Sequence, residues 1–330
     1  MLTTVLRGFL FLIVGLAIAV AALWVAGTYE EVETEIAFDP SVLPPDLDRW
    51  FADREARVPD LRPDAAKRIL WAGPPGQRTP LAIVYLHGFS ADLWETRPVA
   101  DRVAEATGAN LFYQRLAGHG RNGAAMAEPD AGDWLEDVAE AMEVGRRLGD
   151  RVVVIGTSTG GTLAAVLAAD PALAAQREGL AGIVLISPNF RVANPAAALL
   201  SWPAARWWVP LVAGPERAFQ PLNERHARHW TTRYPTVATL PMQALIDHAE
   251  GLDWGATRTP ALFVFSPRDR VVAPEAIEDV LAAWGGPVTV ERVAPSPGDD
   301  PNEHVLAGDI LSPGRTEEMI ALLTGWIAGL

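Results

Sequence analysis

The sequence predicts an α/β protein: a doubly wound, mostly parallel sheet with an inserted helical cap, behind an N-terminal transmembrane helix. Three observations predict it. From about residue 80 short apolar runs alternate with helix-like stretches, that rhythm lapses between Pro188 and Arg258, and residues 8–26 form one uncharged apolar run. Strand–helix alternation is the signature of a parallel sheet covered by helices on both faces.

The elements follow in order. Gly8 to Ala26 is nineteen residues without a charge. As a helix it spans roughly 28 Å, close to the hydrocarbon thickness of a bilayer. Arg7 precedes the run, Glu30, Glu31, Glu33 and Glu35 follow it, and Trp24 and Tyr29 stand where an aromatic belt would lie. The positive-inside rule then puts Met1 to Arg7 in the cytoplasm and the remainder on the periplasmic or extracytoplasmic side. Cleavage as a signal peptide is the alternative. The run is longer than the usual signal core, and bulky Trp24 and Val25 crowd its end, which favours an uncleaved anchor. A buried soluble helix is the third reading.

Residues 1–28 are therefore read as the anchor, and 29–78 as a linker and lead-in containing a short helix near Asp46 to Arg57. The apolar runs 81–86, 110–114, 151–156, 182–187, 261–266 and 288–293 read as strands. They are continuous rather than alternating, as strands buried on both faces are. Helices are expected at 94–106, 130–148, 159–169, 274–284 and 314–328. The core thus covers 79–190 and 256–330, and 191–255 is the cap, an insertion at the strand ends where ligand sites gather.

Composition narrows the function. The net charge of -14 argues against nucleic acid as a partner, because phosphate binding needs a concentrated basic surface. The chain has no cysteine, which removes disulfides, thiolate metal sites and a thiol nucleophile together. No cofactor is assigned: no P-loop lysine follows the glycines at 156–161.

The strand at 151–155 runs directly into Gly156-Thr157-Ser158-Thr159-Gly160-Gly161, and a small-residue helix follows until Pro171. This is G-x-S-x-G between a strand and a helix, the setting in which a serine hydroxyl is held at a strained turn. Gly156 and Gly160 keep neighbouring side chains clear of that turn. The helix that begins after Ser158 aims N–H groups at developing negative charge. A glycine-rich turn or phosphate cradle is the competing reading.

With these residues the chain resembles the α/β-hydrolase superfamily, and within it the carboxylesterase and monoacylglycerol-lipase group, over residues 80–330. The resemblance implies an oxyanion hole. LAIVYLHGFS (81–90) matches the family's first core strand with its H-G-x motif, so the backbone N–H groups of Phe89 and Thr159 would form the hole. His87 and Gly88 would support the loop, His87 structurally rather than as the base. Gly118-His119-Gly120 would stabilise a turn. The triad would run in the order Ser158, Asp269, His304. Asp269 follows a buried strand and precedes Val271-Val272; a turn or helix cap is its other reading. Of six histidines only His304 lies beyond the last strand. Asp299, Asp300 and Glu303 crowd it, and are both rivals to Asp269 and candidates to raise its pKa.

His226 and His229 are three apart and would share a helix face. A metal site is conceivable, but no H-E-x-x-H pattern supports one, and a polar cap surface is preferred. No metal site is therefore assigned. Leu199, Leu200, Trp202, Trp207, Trp208, Val209, Leu211 and Val212 form an apolar stretch that either lines an acyl pocket, dips into the membrane, or packs as the core of the cap. The resemblance implies ester hydrolysis through an acyl-enzyme on Ser158, with a small-molecule or lipid ester as substrate. A peptidase or amidase, an acyltransferase, and a non-catalytic binding protein on the same fold stay open.

Overall fold

The computed structural model describes residues 2–294 and 296–330. Met1, counted above in the anchor, and Pro295 lie outside the described residues.

Nine strands are described: β1 (Arg68–Leu70), β2 (Thr79–Leu86), β3 (Asn110–Tyr113), β4 (Gly149–Thr157), β5 (Leu180–Ile186), β6 (Glu216–Ala218), β7 (Arg233–Pro235), β8 (Ala261–Phe265) and β9 (Val288–Arg292). The α-helices among the described residues are α1 (Leu2–Ala26), α2 (Leu47–Glu55), α3 (Val99–Thr107), α4 (Ala131–Leu148), α5 (Thr159–Ala169), α6 (Ala205–Ala213), α7 (Glu224–His229), α8 (Thr239–Glu250), α9 (Pro274–Ala283) and α10 (Thr316–Ala328). The main sheet has seven strands in the order β1-β3-β2-β4-β5-β8-β9. All pairs are parallel except β1 with β3.

The continuous apolar runs have the cause expected of them. On β2, Ala82, Val84 and Leu86 face a core built with α4, α5, α8 and α9. Their neighbours Leu81, Ile83 and Tyr85 face a second core with α3 and α10. The central strands are covered twice, so neither set can be polar. β9, expected to be buried in the same way, is instead an edge strand with no buried residue, which is why it carries Thr289, Glu291 and Arg292. α5 is buried along its whole length. Its small residues allow it to lie close against the sheet behind Ser158, as TGGTLAAVLAA permits and a bulkier helix would not.

The structure differs from the sequence reading in three places. The stretch taken as linker and lead-in is partly core: Leu43, Leu47, Phe51 and Ile69 are buried in the main cluster. It also supplies β1, whose three residues are too few to show a pattern. Glu55 at the end of α2 is buried and makes a bidentate ion pair with Arg115, both contacts at 2.7 Å. The helix expected at 94–106 begins only at Val99, because the preceding residues form turns that carry Asp92 and Glu95 inward. The cap is mostly helical, with a 3-10 segment at Pro195–Ser201, α6, α7 and α8, but β6 and β7 pair as a small antiparallel ribbon. α8 closes the cap segment by returning to the core, where Leu245 and Ala249 are buried.

α1 is apolar from Gly8 to Ala26. Its window Leu6–Ala26 has a mean hydropathy of 2.8 and no part of it is buried against the rest of the chain. By length and composition it is a candidate membrane span, and a signal sequence near an N-terminus has the same character.

Candidate active site

β4 ends at Thr157 and α5 begins at Thr159, so Ser158 alone turns the chain. It does so at φ 52° and ψ -117°, a conformation that L residues rarely hold. The turn is over-determined by hydrogen bonds. Ser158 N donates to Ile186 O at 2.8 Å, while Ser158 O accepts from Thr162 N and Asn189 N at 3.0 and 3.2 Å. The two motif glycines are needed because they interlock. A Cβ on Gly156 would overlap Gly160 O, and a Cβ on Gly160 would overlap Leu86 O.

β8 ends in a tight turn that presents Asp269. Its Oδ1 accepts from Val271 N and Val272 N at 2.8 and 3.0 Å. Its Oδ2 lies 2.8 Å from Nδ1 of His304. The expected acid and base are thus brought together across 35 residues. Each rival acid has another occupation. Asp300 accepts from the backbone N–H groups of Asn302, His304 and Val305 and so shapes the loop that carries the imidazole. Asp299 accepts from Ser296 N and Gly314 N. Glu303 accepts from Ser266 Oγ and pairs with Arg268. The loop is held from the other side by Ser187 Oγ, which donates to His304 O at 2.8 Å.

Burial by itself would lower the pKa of His304. The charge of Asp269 and its hydrogen bond, then the charges of Glu95 and Asp300, outweigh burial, and the imidazole is raised above its ordinary value. With Nδ1 engaged by Asp269, Nε2 is the nitrogen left for chemistry. Ser158 and His304 line one cavity of about 680 Å³. Among the described residues neither Ser158 Oγ nor His304 Nε2 makes a hydrogen bond. Such contacts commonly close only when substrate is bound.

The H-G-x loop lies beside Ser158. His87 bridges it: Nδ1 faces Gly88 O at 2.9 Å, and Nε2 accepts from Leu116 N at 3.1 Å. Both ring nitrogens are therefore used, and burial holds the ring well below its ordinary pKa. His119 is likewise a turn residue, with Nδ1 3.0 Å from Ala117 O. Thr159 opens α5, where an N–H has no partner within its helix. Neither its amide nor that of Phe89 is taken by a loop or turn carbonyl among the described residues.

One residue of the site was missed from sequence. Glu95 is buried, lines the cavity, and accepts the Gly88 N–H at 2.6 Å. A Cβ on Gly88 would sit 2.6 Å from Glu95 Oε1 and 3.0 Å from Ser158 Cβ, so the carboxyl and the serine flank the same glycine. Burial pushes Glu95 up to about 7. The only signal in the sequence was a glutamate seven residues beyond Gly88, in a stretch read as helix.

The cap histidines correct an expectation. His226 and His229 are both buried rather than on a polar surface. His226 Nδ1 accepts from Leu222 N, and its ring packs edge-on against Trp230 at 4.6 Å. His229 Nδ1 is 3.1 Å from Asp92 Oδ2. α7 keeps Glu224, Arg225 and Arg228 exposed and turns only its two histidines inward, where they find these partners. Among the described residues no group of three or more metal-ligating side chains occurs.

A strained serine between a strand and a small-residue helix, and a buried Asp–His pair on the loops beyond later strands, form a recognisable arrangement. Residues 83–307 match the model of the alpha/beta hydrolase family. The chain belongs to the alpha/beta hydrolase family. Among curated relatives, a thermostable monoacylglycerol lipase of Bacillus sp. (strain H-257) is 33% identical over 89 residues, which is 27% of this chain. The match spans 35% of that relative's length. Solved structures extend the likeness at the level of fold. One from a study of two metagenome-derived lipolytic enzymes, LipS and LipT, has a TM-score of 0.64 at 22% identity, covering 82% of this chain and 100% of that one. A monoglyceride lipase of Saccharomyces cerevisiae, crystallised as a soluble variant, has a TM-score of 0.58 at 12% identity, covering 80% and 90%. The monoacylglycerol lipase of Paleococcus ferrophilus gives 0.56 at 13%, covering 80% and 98%.

Proposed function

We propose that this alpha/beta hydrolase is a membrane-anchored serine hydrolase that cleaves carboxylic esters through an acyl-enzyme on Ser158. The observation that carries this reading is the Asp269–His304 pair at 2.8 Å, whose imidazole lines one cavity with Ser158. In the mechanism, His304 Nε2 takes the Ser158 proton as Oγ attacks the ester carbonyl. Asp269 holds the tautomer with its proton on Nδ1 and stabilises the imidazolium that forms. The amides of Phe89 and Thr159 receive the oxyanion, a contribution of about 3 kcal/mol per donor. The imidazolium then gives its proton to the departing alcohol. Water, deprotonated by His304, attacks the acyl-enzyme and releases the acid.

The substrate class follows from the cavity wall. Leu199, Leu200, Trp208, Val209 and Met242 line it from the cap side, a surface suited to an acyl chain rather than to a charged peptide. The lipolytic relatives support the same choice. The anchor is α1, with Arg7 on its cytoplasmic side and the acidic run Glu30 to Glu35 beyond it, so the catalytic domain lies on the extracytoplasmic side.

Fluorophosphonate labelling tests the reading. The protein should label and Ser158→Ala should not. A profile across p-nitrophenyl esters of increasing chain length should exceed turnover of aminoacyl amides. Labelling that survives Ser158→Ala would overturn the assignment.

A further inference from the structure

α6 has the sequence ARWWVPLVA and is apolar but for Arg206. A helix of that kind is ordinarily buried all round. Here one face is: Ala205 and Val209 are buried, and Trp208, Val209 and Val212 line the cavity. The other face is open. Trp207 is 74% exposed, Leu211 85% and Val212 76%, with Trp202 beside them at 44%. Val212 and Leu199 belong to both sets, lining the cavity while exposed, so they form the rim of its mouth. The single charge on α6, Arg206, is turned aside into a bidentate pair with Glu30 at 2.8 and 2.7 Å.

This face is continuous with the apolar surface of α1. Trp24 on α1 meets Trp202 edge-on with ring centroids 5.4 Å apart. Ala204 N, just before α6, donates to Thr28 O at 2.6 Å. Thr28 is two residues beyond the end of the apolar helix, where a span that ends at Ala26 meets the headgroups. The start of α6 is therefore tied to that level by a hydrogen bond, a ring contact and an ion pair. Tryptophan is the residue that favours this level, with an apolar ring and a polar N–H.

We propose that the outward face of α6, comprising Trp207, Leu211 and Val212 with Trp202, lies in the headgroup region of the bilayer that α1 crosses, so that the cavity mouth takes amphiphilic esters directly from lipid. The anchor is then more than a tether: by docking on the cap it sets which way the cavity faces. The occupant of the patch is the lipid surface, and not a second copy of the chain, because the patch joins the apolar surface of α1 through the Trp24–Trp202 contact. The inference rests on the anchored ester hydrolase proposed above.

The natural absence of cysteine allows a direct test on the full chain. Leu16→Cys, Trp207→Cys, Leu211→Cys and Glu275→Cys, each labelled with an environment-sensitive fluorophore, would be reconstituted in phosphatidylcholine nanodiscs with and without doxyl-labelled phosphatidylcholine. Labels at 207 and 211 should be quenched by about twofold or more, as for groups held at the acyl boundary, and the label at 275 should be unchanged. If 16 is quenched while 207 and 211 behave like 275, this proposal fails and the anchor stands. If 16 is not quenched, the anchor fails and the proposal with it. As a second measurement, the double variant Trp207→Glu/Leu211→Glu should lose about tenfold or more of its rate on a long-chain monoacylglycerol in phosphatidylcholine vesicles. Its rate on soluble p-nitrophenyl acetate should stay within about twofold, since neither side chain lines the cavity. An equal change in both rates, or no change in either, overturns the proposal; a wild type inactive on both esters instead refutes the hydrolase reading itself.

Discussion

Asp269→Asn is nearly isosteric, yet it should disable the site for a reason visible in the hydrogen bonds. Asp269 Oδ1 accepts two backbone N–H groups, from Val271 and Val272, and Oδ2 faces His304 Nδ1. An asparagine must choose which atom faces which way. Turning its NH2 toward the two N–H donors would leave two buried donors unsatisfied, at about 1–3 kcal/mol each. The amide oxygen therefore stays on the valine side and the NH2 faces the imidazole. Nδ1 must then accept, the ring proton moves to Nε2, and the nitrogen that should receive the Ser158 proton is already protonated. The expected loss in kcat/KM is about 10³–10⁴-fold, or about 4–5.5 kcal/mol of transition-state stabilisation. Both backbone hydrogen bonds survive, so the melting temperature should barely move. The assay is p-nitrophenyl ester hydrolysis beside a thermal melt. A variant that keeps more than about a tenth of kcat/KM would refute the orientation argument, because a correctly protonated imidazole would then not depend on the carboxylate.

Three further perturbations test other parts of the structure. In Gly160→Ala the new Cβ would meet backbone at Leu86 and His87 that cannot move aside; thermal melts should show a loss of about 3 kcal/mol or more, whereas Gly325→Ala, with open space around it, should gain up to about 1 kcal/mol. Glu95 has its folded pKa raised from 4.5 to about 7; its favourable contribution is therefore complete below about 4.5 and lost as pH rises through 7, so relative to wild type Glu95→Gln should gain about 3 kcal/mol in urea melts between pH 4 and pH 8. The same variant removes one of the charges that raise His304, so the acid limb of kcat/KM should move to lower pH; an unmoved limb counts against Glu95 facing the base. Glu55→Ala strands Arg115 in the interior and should cost about 3–5 kcal/mol in the same melts, while a loss under about 1 kcal/mol would mean that α2 is a lead-in and not part of the body.

The sequence made most of the core legible because its evidence is local. Apolar runs named the strands, those of the central strands being covered on both faces, and Pro171 and the glycines marked the boundaries of α5. What it concealed lay below the length at which pattern can be read. β1 is three residues long, β6 and β7 are three each, and a period of two needs more positions than that to be distinguished from chance. The site divides in the same way. Ser158 with its glycines sits in one contiguous motif, and His304 stood out as the one histidine after the last strand. Glu95, by contrast, carries no motif; it matters only because the turn at residues 92–98 folds it against Gly88.

The sequence by itself determined the parallel sheet, the serine turn, the apolar N-terminal helix and the short list of acids and histidines from which a base pair must come. Tertiary structure alone decided which acid meets His304, since Asp269, Asp299, Asp300 and Glu303 are chemically equivalent until β8 and the last loop set their positions. It alone buried His226 and His229, and it alone gave α6 one face toward the cavity and one face outward beside α1. The physical reason is common to all of these. Burial and hydrogen-bond partnership depend on which groups compete for one place, and that competition is between residues tens of positions apart that no local pattern relates.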